Sequence, residues 1–189
     1  MELNKALSIA DEIVQSLSPH CELINIAGSC RREKPEVKDI EIVCTPKPKL
    51  IMDVFGEEMK EGRVKGFVKQ VQGLGETLKG SAPDGLYTVI KLKEGIKLDL
   101  FIPADNDYYR IFALRTGSLE YSRDVIARGW NKIGWCGVDG ELRKIKDCIK
   151  VGKKWKCLNP SPELPPVWTS EQDFFDWIKV RWVAPSSRI

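Results

Sequence analysis

Leu3, Ala6, Leu7, Ala10, Ile13, Val14 and Leu17 recur at helical spacing, and Ser18-Pro19 ends the run, so a helix is predicted over 3–17. Leu23 to Ile26 is a short β-prone stretch leading into Gly28-Ser29. Asp39-Ile40-Glu41-Ile42-Val43 alternates acidic and apolar residues, as a strand with one face toward a core does, and Pro46 and Pro48 close it. Residues 50–60 read as a helix, and Phe67 to Val71 as a strand inside a glycine-punctuated stretch. Tyr87–Leu92 and 97–102 are two strands joined by Lys93-Glu94-Gly95-Ile96, a hairpin signal.

After a loop at 103–107, Tyr108 to Leu114 reads as a helix that stops before Thr116-Gly117-Ser118. A second helix is expected from Leu119 to Arg128, closed by Gly129. Short strands with glycine turns follow, Val138-Asp139-Gly140-Glu141 being the clearest, and four prolines between 160 and 166 mark a rigid loop. Thr169 is expected to begin the last helix, with Gln172 three residues on as a capping-box partner.

The 189 residues are 42% apolar and 30% charged, which suits a folded chain of one domain or two small subdomains. No run of about 18 apolar residues exists to span a membrane. Met1-Glu2-Leu3-Asn4-Lys5 has no basic flank leading into an apolar stretch, so no secretory signal is expected, and the chain reads as soluble and cytoplasmic. Its six cysteines include no Cys-x-x-Cys pair, and His20 is the only histidine. Free, mostly buried thiols are therefore expected rather than disulfides or structural zinc, and serine–histidine or cysteine–histidine hydrolysis is disfavoured.

Charge is uneven. Residues 1–110 hold 16 basic and 18 acidic residues, whereas 111–189 hold 14 and 9. The excess concentrates in Arg143, Lys144, Lys146, Lys150, Lys153, Lys154 and Lys156, which is either a solvated hairpin face or a surface for a polyanion.

The strongest chemical signal is Ala27-Gly28-Ser29-Cys30-Arg31-Arg32 followed by Asp39-Ile40-Glu41. Asp39 and Glu41 lie two apart on a strand and leave the same face, where they repel unless water or a cation lies between them. Asp99 sits mid-strand between Leu98 and Leu100. If the two strands are neighbours, three carboxylates converge, a donor set suited to hard divalent ions such as Mg²⁺. Taken singly, each acid also fits a wet sheet face. Gly28-Ser29 after an apolar strand can present backbone N–H groups to an anion, with Arg32 as a phosphate clamp.

Apolar residue, Gly-Ser, a gap of about ten residues and then Asp-x-Glu resembles the nucleotidyltransferase superfamily signature. Arg115-Thr116-Gly117-Ser118 after the third acid, and residues 169–177 near the end, are similar to the family X DNA polymerases. The likeness covers about residues 22–45, 96–130 and 166–189; the stretch 50–95 matches only in element order. It implies an α+β fold: a polymerase beta-like palm, a mixed sheet flanked by helices, over 1–105, and a small α+β thumb-like subdomain over 106–189. Only 27 residues precede Gly28, so no lyase domain or helix-hairpin-helix clamp is expected, as in the minimal forms of some viruses. That likeness suggests a phage or viral source and the host cytoplasm.

By this resemblance Asp39 and Glu41 would bind two Mg²⁺ ions, with Mn²⁺ as a substitute, and Asp99 would ligate the ion that activates a primer 3′-hydroxyl. Gly28, Ser29 and Arg32 would hold the triphosphate of an incoming dNTP, and Thr116, Gly117 and Ser118 its sugar. Arg143, Lys144, Lys146, Lys150, Lys153, Lys154 and Lys156 would hold gapped or primer-template DNA. Trp135 and Trp155 are candidates for stacking on a base, although core packing is the better expectation. The implied activity is metal-dependent DNA polymerisation in short gap filling or end extension, with pyrophosphate released. Two departures stand out: Glu41 where family X members usually carry Asp, and Leu114-Arg115 where vertebrate members carry two aromatics. A nucleotidyltransferase with a non-DNA acceptor and a catalytically silent DNA-binding module are the alternatives.

Overall fold

A computed structural model describes every residue except 53, 54, 56, 57, 82–84 and 105. Helix α1 (Leu3–Leu17) buries Ala6, Ala10, Ile13 and Leu17 on one stripe, as its spacing predicts. Strands β1 (Cys21–Ile26), β2 (Asp39–Pro46), β5 (Gly75–Gly80), β6 (Tyr87–Leu92) and β7 (Lys97–Phe101) form one sheet in the order β1-β2-β7-β6-β5. The β6–β7 hairpin forms as expected. β2 and β7 pair in parallel, while the other neighbours are antiparallel, so the sheet is mixed and the fold α+β.

Alternation divides the central strands into two faces. Ile40, Ile42, Leu98 and Leu100 are fully buried and pack with α1 and with Phe67 and Val71 of α3 (Lys65–Gly73). Asp39, Glu41 and Asp99 lie on the opposite face. Further along it, Val43 and Phe101 pack with Tyr108 and Phe112 of α4 (Tyr108–Thr116). One face therefore carries acids at one end and an apolar seat for a helix at the other.

The expected strand at 67–71 is instead part of α3, because Phe67 and Val71 are one helical turn apart and share the buried side. The expected helix at 50–60 is also corrected. Its described residues include β3 (Pro48–Met52) and part of β4 (Glu58–Arg63), which pair antiparallel; residues 53, 54, 56 and 57 lie outside the description. Leu50, Met52 and Met59 are all exposed, so these described residues offer no buried stripe to select a helix.

The chain after α4 builds a second core from Ile126, Trp130, Trp135, Leu142, Trp168, Phe174 and Phe175. Residues 119–132 run without a break as α5 (Leu119–Tyr121), a π-helical stretch (Ser122–Ala127) and α6 (Arg128–Lys132). Gly129 thus does not close a helix; a Cβ there would come within 3.0–3.2 Å of Val180 and Ile178, so the glycine admits close packing. Two hairpins follow: β8 (Trp135–Val138) with β9 (Glu141–Lys144), and β10 (Cys148–Val151) with β11 (Lys154–Cys157). Helix α7 is Glu171–Trp177, capped by Ser170, whose Oγ accepts from Asp173 N at 3.0 Å. The cap pair is therefore Ser170 and Asp173, one residue beyond the expected Thr169 and Gln172. Asp105, the expected subdomain boundary, lies outside the described residues.

The two cores are tied through one carboxylate. Glu171 accepts paired hydrogen bonds from Arg31 (2.8 and 3.0 Å) and from Arg188 (2.7 and 3.0 Å), and a fifth from Trp182 Nε1 at 2.9 Å. Arg31 belongs to α2 (Gly28–Arg31); it also donates to Thr116 Oγ1 at 2.7 Å and lies 3.8 Å from the centre of the Phe112 ring. Arg188 is fully buried over Phe175. Burial pushes the Glu171 carboxyl up, but the hydrogen bonds from Arg188 and Arg31 outweigh it and hold the group at about 2, against an ordinary 4.5.

A depressed carboxyl pKa stabilises the fold above the unfolded value and loses that contribution as pH falls toward the folded one. Stability should therefore decline between pH 4.5 and about 2 as Glu171 takes up its proton. Glu171→Gln should cost about 3 kcal/mol at pH 7 and flatten this acid limb, as read by urea unfolding at several pH values. An unchanged acid limb in the variant would overturn this role.

Candidate functional site

In the parallel β2–β7 pairing Glu41 stands directly beside Asp99, and Asp39 beside Lys97. With Asp39 two residues before Glu41, the three acids sit on adjacent positions of one face, all half-buried. Burial, then the neighbouring charge of Asp39, raises the Glu41 carboxyl to about 7; Asp99 adds to the rise, and Arg115 and Arg32 oppose it. Asp99 is raised for the same first two reasons, with the Tyr87 hydroxyl favouring its charged form. Among the described residues no group of three or more His, Cys, Asp or Glu side chains is arranged to hold a metal ion.

Glu41 leans over Gly28. A Cβ added at Gly28 would lie 1.9 Å from Glu41 Oε2, and the residue has φ +62, a left-handed conformation. The strand is locked to the loop by Ala27 N donating to Glu41 O at 2.8 Å. Gly28 thus leaves room for a carboxylate of its own chain. Ser29 Oγ, one residue on, is buried and has no hydrogen-bond partner among the described residues.

Arg32 is less free than a phosphate clamp would be. Its Nη1 donates to the carbonyls of Thr116 (2.5 Å) and Gly117 (3.0 Å), while its buried Nε has no partner among the described residues. Thr116 is fully buried, taking the bond from Arg31 and donating to Phe112 O at 2.8 Å, so it is committed to the scaffold. Ser118 caps the following helix by accepting from Tyr121 N at 3.1 Å. Gly117 passes so close to Ser122 and Tyr121 that a Cβ would meet them at 2.7 and 2.9 Å.

A cleft of about 590 Å³ joins these parts. Arg32, Glu41, Arg115, Gly117 and Ser118 line it together with Trp130; Asp39, Asp99, Ser29 and Thr116 are not among its walls. Arg115, beside Leu114, lies 4.1 Å from the centre of the Phe101 ring. Phe101 in turn stacks on Tyr87 at 4.9 Å. The guanidinium is thereby an internal counter-charge for the acids, which sequence patterning did not single out.

The basic stretch divides in two. Arg143 is bonded to Glu141; Lys144 pairs with Glu163 at 3.3 Å and lies 4.3 Å over Trp135, and Lys146 reaches Glu163 at 3.9 Å. Lys150, Lys153, Lys154 and Lys156 are exposed on the β10–β11 hairpin. Register places Lys154 and Lys156 on one face with exposed Ile149 and Val151, and Lys150 on the other with Trp155. Trp135 is a core residue packed edge-on against Trp177.

Compared with models of protein families and with curated proteins, the chain matches none.

Two expectations test the site's electrostatics. In metal-free protein the Glu41 carboxyl should titrate near pH 7 by ¹³C NMR, and Arg115→Met should move the midpoint upward by removing an opposing cation. A midpoint near 4.5 would refute the burial and repulsion assigned to it. Gly28→Ala should cost about 2 kcal/mol in thermal unfolding, from the strained φ and the displaced carboxylate. Adding Glu41→Ala should recover the second part only, leaving about 1 kcal/mol of backbone strain; strict additivity would mean that the two residues do not interact.

Proposed function

We propose that the chain is a metal-dependent DNA polymerase of family X type, adding a dNMP to a DNA 3′-hydroxyl in short gap filling or end extension. The observation that carries this reading is the β2–β7 register, which places Glu41 beside Asp99 with Asp39 on the same face. A structural sheet would not gather three acids at half-buried positions where two of them are pushed up in pKa. The donors are hard oxygens and suit Mg²⁺, or Mn²⁺ in its place. The buried Ser29 Oγ and Arg32 Nε add polar atoms that lack a partner among the described residues.

In this reading Asp39 and Glu41 would hold two ions, and Asp99 would help hold the one that activates the hydroxyl. Such ions, when bound, stabilise the attacking and leaving oxygens of an in-line displacement at the α-phosphorus. Ser29 donates to a phosphate oxygen, and Arg32 offers its unbonded Nε while Nη1 stays on the Thr116 and Gly117 carbonyls. Gly117 and Ser118 border the sugar, and Arg115 occupies the place where an aromatic would screen the 2′ position. A bond forms between the 3′-oxygen and the α-phosphorus, and the bond to the pyrophosphate oxygen breaks. The exposed lysines of the β10–β11 hairpin follow the DNA backbone.

The test is extension of a labelled primer on a one-nucleotide-gapped duplex with single dNTPs and Mg²⁺. Wild-type protein should add only the complementary nucleotide, and Asp99→Ala should lose about a thousandfold or more while retaining DNA. Full activity in that variant would remove Asp99 from the site. Addition of any dNTP would make the enzyme a template-independent transferase. DNA retention with no extension would favour a non-DNA acceptor or a silent binding module.

A further inference from the structure

Three of the six free cysteines gather in the C-terminal half, away from the acids. Cys136 lies on β8, Cys148 opens β10 and Cys157 ends β11. The Cys148 thiol is influenced by both Cys136 and Cys157, which places it between the other two, while Cys157 Sγ donates to Asn159 O at 3.6 Å. Cys136 is fully buried, whereas Cys148 and Cys157 are half-exposed.

The hairpin register distinguishes one pair. Gly152-Lys153 is a two-residue turn with Gly152 at φ +61, and counting back from Val151↔Lys154 brings Cys148 directly opposite Cys157. Leu158 N donates to Asp147 O at 2.8 Å just outside this pair. That bond marks Cys148 and Cys157 as a non-hydrogen-bonded cross-strand pair, the kind whose Cα atoms stand about 4.5 Å apart. Disulfides span Cα separations of roughly 4.4–6.8 Å, so the backbone needs no rearrangement.

We propose that Cys148 and Cys157 are an oxidation site, joined by a reversible disulfide when the protein meets a peroxide. Cys157, half-exposed at the strand end, reacts first: its thiolate sulfur attacks a peroxide oxygen, the O–O bond breaks, and a sulfenic acid and hydroxide result. Cys148 then attacks that sulfur, expelling the sulfenic oxygen, which leaves as water with the thiol proton. Two thiols lose two electrons and two protons in all, and one hydrogen peroxide becomes two waters. Burial, then the influence of Cys136 and Cys157, raises the Cys148 thiol to about 12, which suits it to the second step rather than the first. The disulfide closes the base of the hairpin that carries Lys150, Lys153, Lys154 and Lys156, fixing its register. None of this depends on the polymerase reading.

The test is performed on the full chain. Protein is treated with a small excess of hydrogen peroxide, remaining thiols are blocked with iodoacetamide, and an unreduced tryptic digest is analysed by mass spectrometry. Cleavage after Lys and Arg places Cys136 on 133–143, Cys148 on 147–150 and Cys157 on 157–179, so each linkage has its own mass. The expected product joins 147–150 to 157–179, disappears on reduction and in Cys157→Ser, and persists in Cys136→Ala. A dominant link between 133–143 and 147–150, or alkylation of all three cysteines, would overturn the proposal. So would one zinc per chain that protects the thiols until a chelator removes it.

Discussion

The carboxylate of Glu171, gripped by Arg31 on one side and Arg188 on the other, is the contact on which the relation of the two cores depends. Arg31 is one residue from Arg32 and three from Gly28, so the same short helix that borders the acids is anchored to the last helix and to the chain end. Two guanidiniums share one charge, and each is further satisfied: Arg31 by Thr116 and the Phe112 ring, Arg188 by Val183 O and the Phe175 ring. Removing the carboxylate would leave a wholly buried arginine unpaired, which costs more than an exposed ion pair is worth.

The acid face depends on that anchor through α4. Tyr108 and Phe112 occupy the apolar end of the face, Tyr108 OH being tied to Asn25 at 2.7 Å and Val43 O at 3.3 Å. The helix end then delivers Arg115 to the acids and Gly117 to the carbonyl bond with Arg32. One nine-residue helix thus covers half of a sheet face and supplies the counter-charge and part of the cleft wall for the other half.

Much of this was legible because strands have a period of two. Alternation at 39–43 and 97–101 separated the acids from Ile40, Ile42, Leu98 and Leu100, and the β6–β7 turn was short and local. What was not legible involves residues far apart or tertiary selection. Arg31 and Glu171 are 140 positions apart, and nothing near either marks the other as its partner. That Glu41 packs against Gly28 is likewise visible only in the fold. The strand and helix exchanged at 50–60 and 67–71 turned on which stretch had a core to bury against: Phe67 and Val71 did, Leu50 and Met52 did not.

Local rules are broken most densely in one place. Burial and two like charges push the Glu41 carboxyl up to about 7, Gly28 keeps a left-handed backbone beneath it, and Ser29 Oγ and Arg32 Nε are buried without partners among the described residues. Thr88, Tyr121 and Trp168 also carry buried polar atoms without a partner among the described residues, Tyr121 beside the charges of Arg188 and Glu171. A raised carboxyl pKa lowers stability as pH rises from 4.5 through about 7, so the acid cluster weakens the fold at neutral pH where Glu171 strengthens it. Stability alone would favour replacing such a cluster with apolar residues, whereas a cation and an anionic ligand would relieve the repulsion and satisfy the orphaned donors together. The opposed pKa shifts of two glutamates in one small fold separate the carboxylate that holds the chain together from one that burial and repulsion make costly at neutral pH.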